Sequence, residues 1–321
     1  MKANNTIPKP VKTINAASCG ASAKAAETRS ASEKPVIDSG RLTTPKGTLS
    51  YLELGCGKAA HFLHGNGFCA GAYLPFLNLL SRDLRITAPD IRGHGDSIHN
   101  GRPVFIKWPE FAEDARRIIT TAMNPPVIGI GHSLGGVITY MTAALYPDLF
   151  SKIVLIDPVI LPQDYLFSLF ILRSFGLTNR LPLVRGAKRR KHTFTSQDEA
   201  LSRFSKGKGA FRNWRHPFIK AYVDWGFKNA GNGNITLKCN PQNEARVYES
   251  VPLNLWSYAS RIHVPTLFIR GEKSDNFPEK AMKRLMKLMP NANFFTFPKV
   301  GHFIPMEIPD ELSTIVLEFI T

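Results

Sequence analysis

From residue 48 onward, short apolar runs alternate with stretches of helical periodicity. "TLSYLELG" (48–55) alternates apolar and polar positions, as a half-buried strand does. "AAHFLHG" (59–65), "LRITAPD" (84–90), "PPVIGIG" (125–131) and "KIVLIDP" (152–158) read as short strands, the last stopped by proline. Between them, "AYLPFLNLLSR" (72–82), "EFAEDARRIITTAM" (110–123) and "GGVITYMTAALYP" (135–147) carry apolar residues at helical spacing. Near-continuous apolar strands separated by helices predict a mostly parallel, doubly wound sheet covered on both faces.

The alternation breaks over residues 160–260, which read as helical and irregular. It resumes with the strand "VPTLFIRG" (264–271), the helix "PEKAMKRLMKLMP" (278–290), the strand "NANFFTFP" (291–298) and a last helix from about Asp310. One α/β domain with a helical insertion fits this order better than two sequential domains. The expected boundaries are a tail over 1–38, a core over 39–159, an insertion over 160–260 and the rest of the core over 261–321.

Composition narrows this picture. With 321 residues and 43% hydrophobic content, the chain can bury a full core. No apolar run reaches the roughly 18–20 residues that cross a bilayer. The net charge of +16 is localised. Residues 1–47 carry 8 basic and 3 acidic side chains, and residues 160–255 carry 16 and 6; the remainder is nearly balanced. A nucleic-acid-binding domain would spread its charge over the fold and show a reading motif, and neither zinc-finger spacing nor an RNP-like aromatic motif is present. No nucleic-acid partner is expected.

Residues 1–38 are rich in Ala, Ser, Lys and Thr without apolar periodicity, and read as a disordered tail. The same composition suits an organelle transit peptide, but Arg29 is its one arginine, and Glu27 and Glu33 interrupt it. Cys19, Cys56, Cys69 and Cys239 are scattered, with no CxxC pair. They read as reduced thiols, consistent with a cytoplasmic protein, and no metal is expected.

The candidate chemistry centres on Gly131-His132-Ser133-Leu134-Gly135, a G-x-S-x-G between a strand and a helix. Small residues flank a serine that a sharp turn would lift above the sheet edge. A dinucleotide loop from Gly129 would need glycine at position 134, and a P-loop would need Gly-Lys-Ser/Thr; neither is present, so no cofactor is expected. "HFLHGNGF" (61–68) places His64-Gly65-Asn66-Gly67 after a strand, where glycines allow backbone N–H groups close to a ligand. "VGHFIPME" (300–307) places His302 in a loop after the last strand, with His64, His94 and His132 as competitors. "IRGEKSD" (269–275) ends a strand and presents Glu272 and Asp275.

Together, "HGNGF", "DIRGHGDS" (90–97), "GHSLGG", "RGEKSD" and "GHFIPME" make residues 45–321 resemble the α/β-hydrolase superfamily, in its serine-nucleophile branch with a helical cap. The resemblance implies Ser133 as nucleophile and His302 as general base. It puts the acid at Asp275, with Glu272 beside it and Asp157, after an earlier strand, as the less usual location. It makes Asn66 and Leu134 the oxyanion N–H donors, and gives "DIRGHGDS" a role in shaping the turn near the site. Serine at 133 argues against the dehalogenase and epoxide-hydrolase branches, where this position is Asp.

The expected function is hydrolysis of a small-molecule carboxylic ester with an apolar acyl group through an acyl-enzyme. Carbon–carbon bond hydrolysis, lysophospholipase and thioesterase activity are the alternatives on the same residues. A ligand-binding protein without catalysis is the non-enzyme alternative. In the insertion, "YLFSLFILRSF" (165–175) is apolar around most of a helix and reads as lining an acyl pocket. The basic run "RGAKRRK" (185–191) reads as a solvated face, with anionic membrane-surface contact as its alternative. Oligomeric state is not encoded in any of these features.

Overall fold

The computed structural model describes residues 36–99 and 107–321. Most of the tail expected over 1–38 therefore lies outside the described residues. Its last three positions do not: Val36 is described, and β1 (Ile37–Thr44) already includes Ile37 and Asp38, which corrects that boundary. β1 forms an antiparallel hairpin with β2 (Gly47–Leu54). β1 is largely exposed and polar, so no apolar alternation announced it.

The chain then follows the expected order. β3 (Lys58–Leu63), α1 (Leu74–Leu80), β4 (Leu84–Pro89), the short β5 (Ile98–His99), α2 (Trp108–Ala122), β6 (Val127–His132), α3 (Leu134–Leu145) and β7 (Phe150–Ile156) build the first part. The insertion follows, as α4 (Gln163–Ser174), α5 (Pro182–Arg189), β8 (Thr193–Phe194), α6 (Gln197–Ser205), α7 (His216–Gly226), β9 (Phe227–Gly231), β10 (Asn234–Leu237) and α8 (Pro241–Glu249). β11 (Thr266–Gly271), α9 (Glu279–Leu288), β12 (Asn293–Phe297), α10 (Ile304–Glu307) and α11 (Pro309–Ile320) complete the chain.

Among the described residues the main sheet has the order β1-β2-β4-β3-β6-β7-β11-β12, with β5 paired to β2. Strands β4, β3, β6, β7, β11 and β12 are mutually parallel, and the β1-β2 side is antiparallel. The parallel strands read as continuous apolar runs because both faces are covered. Side chains alternate between two cores: Phe62, Ile130, Val154 and Ile269 face the side covered by α1 and α11. Leu63, Leu155 and Phe268 face the side covered by α2, α3 and α9.

The chain leaves β3 toward β4 on one side, then returns to place β6 on the other. In an open parallel sheet such a reversal leaves a crevice at the carboxyl ends of the two strands, where ligands bind. The loops after β3 and β6, carrying Asn66 and Ser133, both open there.

The insertion departs from the helical expectation. Besides its five helices it contains a three-stranded antiparallel sheet, β8-β10-β9. β8 has two residues, and β9 has only one buried position, Phe227. Strands this short and exposed carry no periodicity to read.

Candidate active site

Ser133 stands between β6 and α3 with φ 56°, ψ −118°. A non-glycine residue seldom adopts this region, and it persists only where its surroundings impose it. Here packing imposes it. A Cβ on Gly131 would come within 2.3 Å of the Gly135 carbonyl, and one on Gly135 within 2.1 Å of the Leu63 carbonyl. The Gly135 N–H donates to the His64 carbonyl (3.1 Å), tying the turn to the loop after β3. The small residues of "GHSLGG" are thus a steric requirement of the turn.

His302 lies in the loop after β12, as expected. The Ser133 hydroxyl donates to His302 Nε2 (2.9 Å), and His302 Nδ1–H donates to Asp157 Oδ2 (2.6 Å). Ser133 is 7% exposed and Asp157 fully buried. The carboxylate facing His302 is therefore Asp157, not Asp275 or Glu272, which corrects the expected acid. β7 and β11 are adjacent parallel strands, so their carboxyl-end loops compete for one place above the sheet. Asp157, at φ 43°, follows β7 directly and donates its N–H to the Ile269 carbonyl (2.7 Å) of β11. The loop after β11 turns tightly, with the Ser274 N–H donating to the Gly271 carbonyl (3.0 Å). That turn buries Ser274 and leaves Asp275 at the surface. The Glu272 carboxylate is also exposed and accepts the Lys299 N–H (2.8 Å).

The motif "RGEKSD" still serves the site through groups the sequence did not single out. The Gly271 N–H donates to Asp157 Oδ1 (3.0 Å), and the Ser274 hydroxyl donates to Asp157 Oδ2. Three donors on one buried carboxylate replace the water it loses.

Asn66 stands in the loop after β3. His94 Nε2 donates to Asn66 Oδ1 (3.0 Å), and Asn66 Nδ2 donates to the Glu244 carbonyl (3.0 Å) from α8. Its side chain is fully engaged, which leaves the backbone N–H as the available donor. Leu134 opens α3, where the first N–H groups lack intrahelical acceptors and carry the positive end of the helix dipole. Among the described residues, neither the Asn66 nor the Leu134 N–H has a hydrogen-bond partner.

The segment "DIRGHGDS" shapes this loop. Asp90 Oδ1 accepts the Ala70 N–H and Oδ2 the Asp96 N–H, each at 2.8 Å. Burial pushes the Asp90 carboxyl up to about 6. Arg92 and Asp114 form a buried ion pair, and His94 holds Asn66.

The competing histidines are buried and otherwise engaged. His64 Nε2 accepts the Ile91 N–H (2.9 Å), so its proton lies on Nδ1, which donates to the Gly65 carbonyl (2.8 Å). His132 Nε2 faces the His302 carbonyl (2.9 Å) and must donate to it. Its Nδ1 then accepts from the Tyr73 hydroxyl (2.7 Å), whose oxygen accepts the Gly65 N–H (3.0 Å). Burial, reinforced by His302, holds the His132 pKa well below the usual histidine range, so the ring stays neutral. A buried strap thus joins the Asn66 loop to the His302 loop beneath Ser133. Tyr73 was not legible as part of it, since a tyrosine at an apolar helical position reads as core.

Aromatic side chains flank the base. Phe303 lies 5.0 Å from the His302 ring, and Phe68 and Trp214 lie 5.9 and 5.4 Å from Phe303, between ring centroids. Trp214 and Glu244 come from the insertion, which reaches the site from above the sheet. The basic run of the insertion is partly consumed internally: Lys188 pairs with Glu249 (2.7 Å), Arg190 with Glu244, and Lys191 with Glu199.

Residues 62–314 match the model of the alpha/beta hydrolase family. The chain is 29% identical over 147 residues to a serine hydrolase-like protein of Danio rerio, covering 46% of this chain and 45% of that one. It is 26% identical over 256 residues to epoxide hydrolase 4 of Mus musculus, covering 74% and 66%. The chain thus spans about half and about two thirds of the lengths of these two relatives. The crystal structure of E-2-(acetamidomethylene)succinate hydrolase superposes with a TM-score of 0.73 at 22% identity, over 89% of this chain and 99% of that one. With the family model covering most of its length and the same fold in a solved hydrolase, the chain belongs to the alpha/beta hydrolase family.

Proposed function

We propose that this hydrolase cleaves carboxylic esters through an acyl-enzyme on Ser133. The observation that carries this reading is the unbroken line from the Ser133 hydroxyl through His302 to Asp157, at 2.9 and 2.6 Å. A serine hydroxyl is a weak nucleophile at neutral pH, so His302 Nε2 takes its proton as the oxygen attacks the ester carbonyl. Asp157 fixes the Nδ1–H tautomer and stabilises the imidazolium that forms. The Asn66 and Leu134 N–H groups receive the developing oxyanion, one such donor contributing about 3–4 kcal/mol to the transition state. His302 returns the proton to the leaving alcohol. Water, deprotonated by the same nitrogen, then releases the acid and regenerates Ser133.

The Phe68, Trp214 and Phe303 rings support an apolar acyl group beside His302. The segment between β7 and β11 acts as the cap, through Trp214 and through the Glu244 carbonyl that holds Asn66. A series of p-nitrophenyl esters from acetate to laurate tests the reading. Turnover should rise with acyl length and vanish in Ser133→Ala. No turnover of any ester above that blank would reject ester hydrolysis and favour another bond or a binding role.

A further inference from the structure

Helix α4 presents an apolar face to solvent. Leu166 and Leu169 point inward, while Phe167, Phe170 and Ile171 recur at i, i+3 and i+4 on the outward side. Phe167 is 66% exposed, and Phe175, which caps the helix, is 72% exposed. Leu183, at the start of α5, is also exposed, at 53%. A cluster of exposed aromatic and aliphatic side chains on one face marks a binding surface, unlike the single exposed apolar residues of an ordinary monomer.

The charge on the segment that follows, through α5, selects the partner. Arg180, Arg185 and Arg189 are exposed and form no ion pair among the described residues, in contrast to Lys188, Arg190 and Lys191. A second copy docking by the same patch would bring these like charges together. An anionic lipid surface neutralises them while accepting the phenyl rings at the headgroup–acyl boundary. Arginine suits lipid phosphate because its guanidinium donates two parallel hydrogen bonds. Among the described residues no helix is long and apolar enough to cross a membrane, so the contact is peripheral.

We infer that the outer face of α4, with Leu183 and Arg180, Arg185 and Arg189, docks this protein on anionic lipid bilayers. α4 begins six residues after Asp157, at the carboxyl edge of the sheet where the site opens, so docking brings the crevice close to the bilayer. The inference does not depend on the bond that Ser133 attacks.

Co-sedimentation of the full chain with vesicles tests it. One set holds phosphatidylcholine alone and the other adds 30% phosphatidylglycerol, each at 50 and 300 mM salt. The chain should partition onto the anionic vesicles and not the neutral ones, and lose about tenfold in partitioning at the higher salt. F167S/F170S/F175S and R180E/R185E/R189E, with unchanged circular dichroism melts, should each lose at least about tenfold. Binding that survives both variants would belong to another part of the chain, such as its basic N-terminal residues, and would overturn the inference. So would an absence of binding, or a dimer by light scattering that F167S/F170S/F175S dissociates.

Discussion

Asp157→Asn lowers kcat for ester hydrolysis by about 10⁴-fold, whereas Asp275→Asn and Glu272→Gln leave it within about twofold. An asparagine amide turned toward His302 presents N–H where the carboxylate presented a lone pair. The imidazole then keeps its proton on Nε2, facing the Ser133 oxygen it should deprotonate. Geometry is nearly preserved, because the replacement keeps an oxygen for the Gly271 N–H, and the Ser274 hydroxyl, which meets the same atom as His302, turns to accept the amide N–H. The loss should therefore fall on kcat more than on KM. Asp275 and Glu272 touch neither His302 nor Asp157, so their neutralisation removes only surface charge. Steady-state kinetics of the three variants decide the matter. A large loss in Asp275→Asn with little in Asp157→Asn would return the acid to the loop after β11.

The second large effect is on stability in mild acid. Burial depresses His61 and His64 to about 3 and His94 to about 4, and holds His132 well below its ordinary value. The unfolded chain protonates all four near pH 6.5, while the native state keeps them neutral. Their contribution is therefore intact above about pH 6.5 and is lost as pH falls toward 3–4. Asp90 works in the opposite direction. Raised to about 6 by burial, it takes up a proton in the native state before it does so in the unfolded one. Near pH 5 the unfolded state binds about three more protons than the native state, and stability falls by about 4 kcal/mol per pH unit.

Urea unfolding at pH 7.5 and 5.5 should differ by about 4–5 kcal/mol. His61 isolates one proton of this slope. It is fully buried in β3, and among the described residues neither ring nitrogen finds a partner. His61→Leu should lower the slope by about 1.4 kcal/mol per pH unit and raise stability at every pH by removing an unsatisfied polar ring. Equal stability at the two pH values, or an unchanged slope in His61→Leu, would contradict this account.

The sequence carried most of the frame. Buried parallel strands are written as apolar runs, and each run from "AAHFLHG" to "NANFFTFP" lies on a strand of the main sheet. The hairpin strand β1 and the small β8-β10-β9 sheet were illegible for the same reason. Their residues are largely exposed or too few to repeat a pattern, so register comes from partners that are distant in sequence. Within the site, Ser133 and His302 were legible because local sequence dictates their setting: glycines enforce the elbow, and the last strand leads into the histidine loop. The acid was not. Two neighbouring strands each end near a carboxylate, and the choice depends on a turn at 271–274 that brings Ser274 inward instead of Asp275. Tyr73 and His132 were hidden because their joint role exists only once β3, β6 and the last loop meet.

Fluorophosphonate labelling followed by intact-mass and peptide analysis tests the central claim most directly, because it requires an activated serine and reports which one. The account predicts a single adduct on the peptide containing Ser133, and none on Ser133→Ala. An unlabelled wild-type chain, or an adduct that persists in Ser133→Ala, would contradict it.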